Sequence, residues 1–399
     1  MGETIHPQGT PVAPRTNRVV KANNKTPAAK YNTKMVQRIV ETLKKDPEAD
    51  LVAIIGKDYA EMRERFQNVG AYTQTARVGS TTKKPTVPNP SRGDTRLLLD
   101  PDAAATILSP FSDDMQLLLP DADADNFMHF VIQLLSRAEV LFQSNWGCST
   151  MVLRVSDNIV TKISRRADGT DEYTALQYLE THLPSFPAPR PHGMIGLKHL
   201  YLMFMTYVPG LDLEKAWPQL SVAQKQDISS QLDTLFSELR SLPCPEDSPL
   251  GGVQGEPCKD ARRGLRVAST PITSVKEFED FVFSGSRCAT PVYLEFLRGL
   301  CPPSPNKSVF THGDVRPANI VVNSDDSGKW QVTGIIDWER SGFYPEYWES
   351  IKMTNCLYAG EGWDWYRYLP ECLHPKKHAQ RWLLDKVWDP MVASMETSS

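Results

Sequence analysis

Two stretches decide how this chain folds: Val309-Phe-Thr-His-Gly-Asp-Val-Arg-Pro-Ala-Asn-Ile-Val-Val322 and Val332-Thr-Gly-Ile-Ile-Asp-Trp-Glu339. Each contains an apolar, β-branched run of the kind that forms a buried strand. Each run delivers a carboxylate at its edge, Asp314 and Asp337, and Asn319 follows the first. His312 and Gly313 fit a tight loop packed against the segment that bears Asp337. Phosphoryl transfer from a nucleotide needs such parts. One carboxylate orients an attacking hydroxyl and accepts its proton; a second carboxylate and an amide oxygen hold the magnesium ions that bridge the phosphates.

Upstream, apolar and β-branched residues (Met151, Val152, Leu153, Val155, then Ile159, Val160, Ile163) flank Ser156-Asp157-Asn158 and predict strand, turn, strand. Ordered structure is expected to begin with a helix over residues 125–135. A second helix is expected over residues 171–182, with Tyr173, Leu176, Gln177 and Leu179 facing inward and Pro184 stopping it. Residues 199–208 form a buried apolar strand closed by Pro209-Gly210. From about residue 211 to residue 300 the pattern turns helical, with Ile228, Leu232, Leu235 and Leu239 as the clearest stripe. A Pro/Gly-rich excursion over residues 243–257 interrupts it. A strand-rich part joined by a short link to a helix-rich part predicts an α+β, bilobal fold.

The order His-Gly-Asp-x-x-x-x-Asn and then Ile-Asp-Trp-Glu resembles the aminoglycoside phosphotransferase/choline-kinase group of protein-kinase-like folds, in particular its fungal branch. Protein kinases carry His-Arg-Asp and Asp-Phe-Gly at these places, so the resemblance favours small-molecule kinases. It implies a small β-rich N-lobe over residues 121–207 and a mainly helical C-lobe over residues 208–399. It implies Asp314 as catalytic base and Asn319 and Asp337 as magnesium ligands. Ile159-Val-Thr-Lys-Ile163 is similar to the family's strand-borne lysine, so Lys162 would clamp the nucleotide's phosphates and Glu172 would hold Lys162; Asp171 and Glu180 compete for that place. Leu202-Met-Phe-Met-Thr-Tyr-Val-Pro-Gly210 resembles the hinge, where backbone groups of Met205, Thr206 and Tyr207 would meet adenine. Gly147 and Ser149, in Asn145-Trp-Gly-Cys-Ser-Thr150, would cover the phosphates with a single glycine where protein kinases have three. The implied activity is transfer from ATP, with Mg2+, to a hydroxyl of an unidentified small-molecule acceptor. A nucleotide-binding pseudokinase or scaffold without turnover is the alternative, and a protein-substrate kinase the third reading.

Composition bounds the rest. The chain has 399 residues, 40% of them hydrophobic and 23% charged, with a net charge of −4, a globular balance without the positive field that nucleic acid or an anionic membrane attracts. Residues 1 to about 33 have few large apolar groups and a basic excess, and predict a solvated tail. Met35, Ile39, Val40 and Leu43 recur at helical spacing. Residues 1–120 as a whole read as a partly disordered N-terminal extension with short helices. The start has no signal-peptide core, and no apolar stretch approaches the ~20 residues of a membrane span; a soluble, cytoplasmic protein is expected. Gly56-Lys57 lacks the rest of a phosphate-loop pattern. The seven cysteines form no Cys-x-x-Cys pair and read as reduced structural thiols. A dense aromatic tract (Trp338, Trp348, Trp363, Trp365, Tyr344, Tyr347, Tyr358, Tyr366) is expected to pack in the core. Its alternative is a substrate wall for an amine, with Glu339, Glu346 and Glu349 adding negative charge.

Overall fold

In a computed structural model of the chain, the described residues are 27–47, 49–55, 94–119, 126–144, 150–165, 168–245, 248–262, 265–284, 289–303, 305 and 307–393. Gly56-Lys57, Gly147 and Ser149 lie outside them. The chain divides into two units, Met1–Thr86 and Val87–Ser399.

The first unit contains the helices Pro27–Lys45 and Leu51–Ile55. The longer one starts several residues before the expected end of the tail. Its first turn, Pro-Ala-Ala-Lys, combines a proline suited to the first helical position with strong helix formers. Met35, Ile39 and Leu43 lie half-buried along one face, while Val40 is exposed.

The second unit begins with a six-stranded antiparallel sheet. Its strands are β1 (Thr106–Ser109), β2 (Glu139–Gln143), β3 (Thr150–Arg154), β4 (Ile159–Ser164), β5 (Pro191–Leu197) and β6 (Leu200–Thr206). Their order is β1-β5-β6-β4-β3-β2. The predicted strand–turn–strand is the β3/β4 hairpin, in which the Ser156 hydroxyl accepts the Asn158 and Ile159 N–H groups. Ordered structure nonetheless begins before residue 125. β1 pairs with β5, and the helix Asp113–Leu118, capped by Ser112, buries Met115. A four-residue edge strand that is mostly exposed leaves no alternating pattern to read.

β4 is buried along its whole length, as a central strand covered on both faces must be. Ile159 and Ile163 point into a core shared with the helix Phe127–Arg137 through Met128, Val131 and Leu135. Alternation sends Val160 and Lys162 to the opposite face. There the helix Asp168–His182 packs through Tyr173, Leu176 and Leu179, in a cluster that continues to Ile335, Trp338 and Leu373. The two lobes of the second unit therefore share one core.

The second, helix-rich part holds β7 (Leu211–Asp212), β8 (Lys259–Asp260), β9 (Arg266–Val267), β10 (Ser308–Thr311), β11 (Ile320–Ser324), β12 (Trp330–Ile335) and β13 (Gly342–Pro345). β12, β11 and β7 make one small sheet, and β10 pairs with β13. The helix Val222–Leu239 begins with a Ser221/Gln224 capping box and buries Ile228, Leu232, Phe236 and Leu239. The helices Val275–Phe283 and Ala379–Ala393 close a further core around Phe278, Trp348 and Trp388. The α+β architecture is the one expected, with an antiparallel sheet first and helices after it. No described helix is long and apolar enough to cross a membrane.

Candidate active site

β10, β11 and β12 place the two motif segments side by side. Residues 312–319 connect β10 to β11, and Asp337 follows the end of β12. The Ile336 N–H donates to the Asn319 carbonyl at 2.9 Å and zips the segments together. Gly313 turns the loop at φ +80°, and a Cβ there would meet the Arg340 carbonyl oxygen at 2.4 Å. Only glycine fits such a left-handed, crowded turn.

His312 is fully buried. Its Nδ1 accepts the Asp314 N–H at 3.1 Å, so the proton resides on Nε2, which donates to the Ile336 carbonyl at 3.1 Å. Burial holds its pKa below the usual histidine range. This is the structural histidine that the sequence leads one to expect.

Asp314 stands at the loop's open side. Its carboxylate accepts Asn319 Nδ2 at 3.0 Å and pairs with Arg316 Nε at 3.3 Å. Asn319 Nδ2 also donates to the Asp314 carbonyl at 2.9 Å. The amide nitrogen thus fixes the aspartate, and the amide oxygen is the atom left for a cation.

Lys162, on β4, reaches across the lobes. Its ammonium lies 2.7 Å from Glu172, 2.7 Å from Asp337 and 3.3 Å from Glu339. Burial disfavours that ammonium, but Asp337, Glu172 and Glu339 outweigh it and hold the group well above the usual lysine range. Glu172, in the helix Asp168–His182, also accepts the Trp338 N–H at 3.2 Å. Burial pushes its carboxyl up to about 7 against the pull of Lys162. For Asp337 burial also raises, yet Lys162 prevails and the carboxyl lies below its usual range. The competing acids are elsewhere: Asp171 pairs with Lys259, and Glu180 is exposed.

Asp337 has φ +68°, alone among the described non-glycine residues in the left-handed region. Such strain, of order 1–3 kcal/mol, persists where surrounding structure imposes it and concentrates at functional sites. One oxygen each from Glu172, Asp337 and Glu339 lies within 4.8 Å of the others. Hard carboxylate oxygens in this density suit a magnesium ion.

At the hinge, the Thr206 N–H donates to the Arg190 carbonyl at 2.9 Å and the Tyr207 N–H to the Asn158 carbonyl at 2.7 Å. Met205 is buried and faces Val160 and Pro191 in the sheet. Both of these N–H groups are thus spent within the protein.

Two acidic residues have roles the sequence did not yield. Glu339 joins Lys162 and also accepts Arg340 Nη2 at 3.2 Å; its signal was its place two residues after Asp337. Glu349 is buried beneath the loop and accepts the His312 N–H at 2.6 Å and the Gly313 N–H at 3.0 Å. Neither adds charge to an aromatic substrate wall. Trp338, Trp348, Trp365, Tyr344 and Tyr347 are buried, Trp363 and Tyr366 pack against the core, and Tyr358 is exposed. The tract is core.

The model of the phosphotransferase enzyme family matches residues 144–367. No curated protein matches. Among solved structures, an aminoglycoside phosphotransferase, APH(2'')-IIa, in a ternary complex with streptomycin and ATP is similar at 14% identity, over 66% of this chain and 90% of that one, with a TM-score of 0.45. A thermostable mutant of APH(4)-Ia in a ternary complex with AMP-PNP and hygromycin B is similar at 17% identity, over 68% and 92%, with a TM-score of 0.44. APH(3'')-Id from Streptomyces rimosus is similar at 17% identity, over 65% and 91%, with a TM-score of 0.38.

Proposed function

Because the chain belongs to the phosphotransferase enzyme family, we propose that it transfers the γ-phosphoryl group of ATP, with magnesium, to a hydroxyl of a small molecule. The observation that carries this reading is the meeting of Lys162, Glu172 and Asp337, the first and last separated by 175 residues, beside the Asp314/Asn319 loop.

Each residue's part follows from its contacts. Lys162 offers a fixed positive charge to phosphate oxygens, which compete with Asp337 and Glu339 for its donors, while Glu172 keeps it aimed. Asp314, immobilised by Asn319, orients the acceptor hydroxyl. It takes the proton as that oxygen bonds to the γ-phosphorus and the bridging P–O bond to ADP breaks. Asp337, Glu339 and the Asn319 amide oxygen are the groups that would hold magnesium, which neutralises charge on the phosphates when bound. Catalysis on these terms is positioning and electrostatics, with no covalent enzyme intermediate. Met205, Thr206 and Tyr207 would border the adenine, and Gly147 and Ser149 would cover the phosphates.

A Lys162→Met variant tests the phosphate clamp. Removal of one preorganised charge from such a site is expected to lower kcat/KM for ATP by about 10²-fold or more. Steady-state assays over a panel of hydroxylated acceptors measure it, and unchanged kcat/KM would remove Lys162 from the site.

A further inference from the structure

Lys352 is a cation that the proposed reaction leaves unused. It belongs to the helix Trp348–Met353, which lies under the loop of Asp314: Glu349 takes that loop's N–H groups, and Lys352, three residues on, shares its side of the helix. The residue is half-buried. Among the described residues its ammonium forms no hydrogen bond or ion pair.

The nearby carboxylates are committed elsewhere. Asp260, Asp314 and Glu349 attract the Lys352 ammonium, while Arg262 and Arg340 repel it; Glu349 is taken up by the His312 and Gly313 N–H groups. Asp260 is bonded by Arg262 Nη2 at 2.7 Å and by Arg266 Nη2 at 2.6 Å. Asp314 holds Asn319 and Arg316. Glu339 is shared by Lys162 and Arg340. Each of these carboxylates is thus bonded by donors other than Lys352, and a desolvated cation without a hydrogen-bonded partner is costly. Burial indeed lowers the Lys352 pKa. The aromatic residues that could have received an amine are packed in the core, apart from Tyr358.

We infer that the acceptor is a small hydroxylated anion, an alcohol bearing a carboxylate or a phosphate, whose charge pairs with Lys352 while its hydroxyl meets Asp314. Lys352 is then a specificity residue. The inference rests on the phosphotransfer reading above.

The test uses the full chain with magnesium and a non-hydrolysable ATP analogue, titrated by calorimetry with four probes that share a six-carbon polyol skeleton: gluconate, glucose 6-phosphate, glucose and glucosamine. A charge-assisted contact predicts that at least one anionic probe binds about tenfold tighter than glucose, with glucosamine weakest. Whichever of gluconate and glucose 6-phosphate gains identifies the anion. Lys352→Met should abolish that ratio and Lys352→Arg should keep it; Lys352→Gln carries the same test should the Met variant not fold. Equal or tighter binding of glucose or glucosamine overturns the inference, as does a preference that survives Lys352→Met. The analogue is titrated first. Failure to bind it sinks the phosphotransfer reading and this inference together, whereas nucleotide binding with no anion preference sinks this inference alone.

Discussion

Asp314→Ala is expected to lower turnover by about 10³-fold or more, the scale of a lost general base, while nucleotide still binds. The asymmetry follows from the contacts. The Asp314 carboxylate is bonded by Asn319 and Arg316, whereas Lys162, the proposed phosphate clamp, is held by Glu172, Asp337 and Glu339. Loss of Asp314 therefore strips the hydroxyl of its acceptor and leaves the clamp standing. Single-turnover rates beside ATP titrations separate the two. Wild-type rates from purified Asp314→Ala would end the assignment.

Glu349→Gln is expected to act twice. The carboxylate holds the His312 and Gly313 N–H groups, and these residues set where Asp314 stands. An amide in its place turns an NH2 group toward one of those donors, loosening the loop. A shift of about 1 Å at such a site costs roughly 10²-fold in rate. The second effect concerns pH. Burial pushes Glu349 up from 4.5 to about 7, with its two N–H partners pulling the other way. A folded-state value above the unfolded one means that the folded protein keeps the proton longer. Stability is then fully present below pH 4.5 and falls as pH rises toward 7, by about 3 kcal/mol at full ionisation. Glu349→Gln should remove that part of the decline. Glu172, raised to about 7 in the same direction, should leave a residual slope. Chemical denaturation at a series of pH values checks this, and an unchanged profile would contradict it.

How much of this was legible in the sequence depends on how each residue earns its place. Asp314, Asn319 and Asp337 come from two contiguous segments whose spacing survives in the chain, so they could be named at once. Lys162 and Glu172 lie ten residues apart on a strand and the next helix; the family resemblance pointed to both, with Asp171 and Glu180 left as competitors for the second. Glu349 is different. Its partner is the backbone of residues 312 and 313, a pairing that no side-chain pattern announces, and next to Trp348 and Tyr347 it reads as surface charge on an aromatic wall. Glu339 was visible but ambiguous, since an acid beside a motif can face either metal or substrate. The upstream boundary failed for a related reason. β1 is four residues long and exposed on most of them, and its place in the sheet is set by pairing with β5, over 80 residues away in the chain. Burial created by distant partners leaves little periodic trace.

Under the proposed function, Asp337 anchors a magnesium-dependent nucleotide site. Calorimetric titration of ATP, with and without magnesium, into the wild-type chain and Asp337→Ala tests it most directly. The wild type should bind ATP with an affinity that magnesium raises, and Asp337→Ala should lose that rise. A wild-type chain that binds no ATP, or an Asp337→Ala variant that keeps the full magnesium dependence, would contradict the site described here.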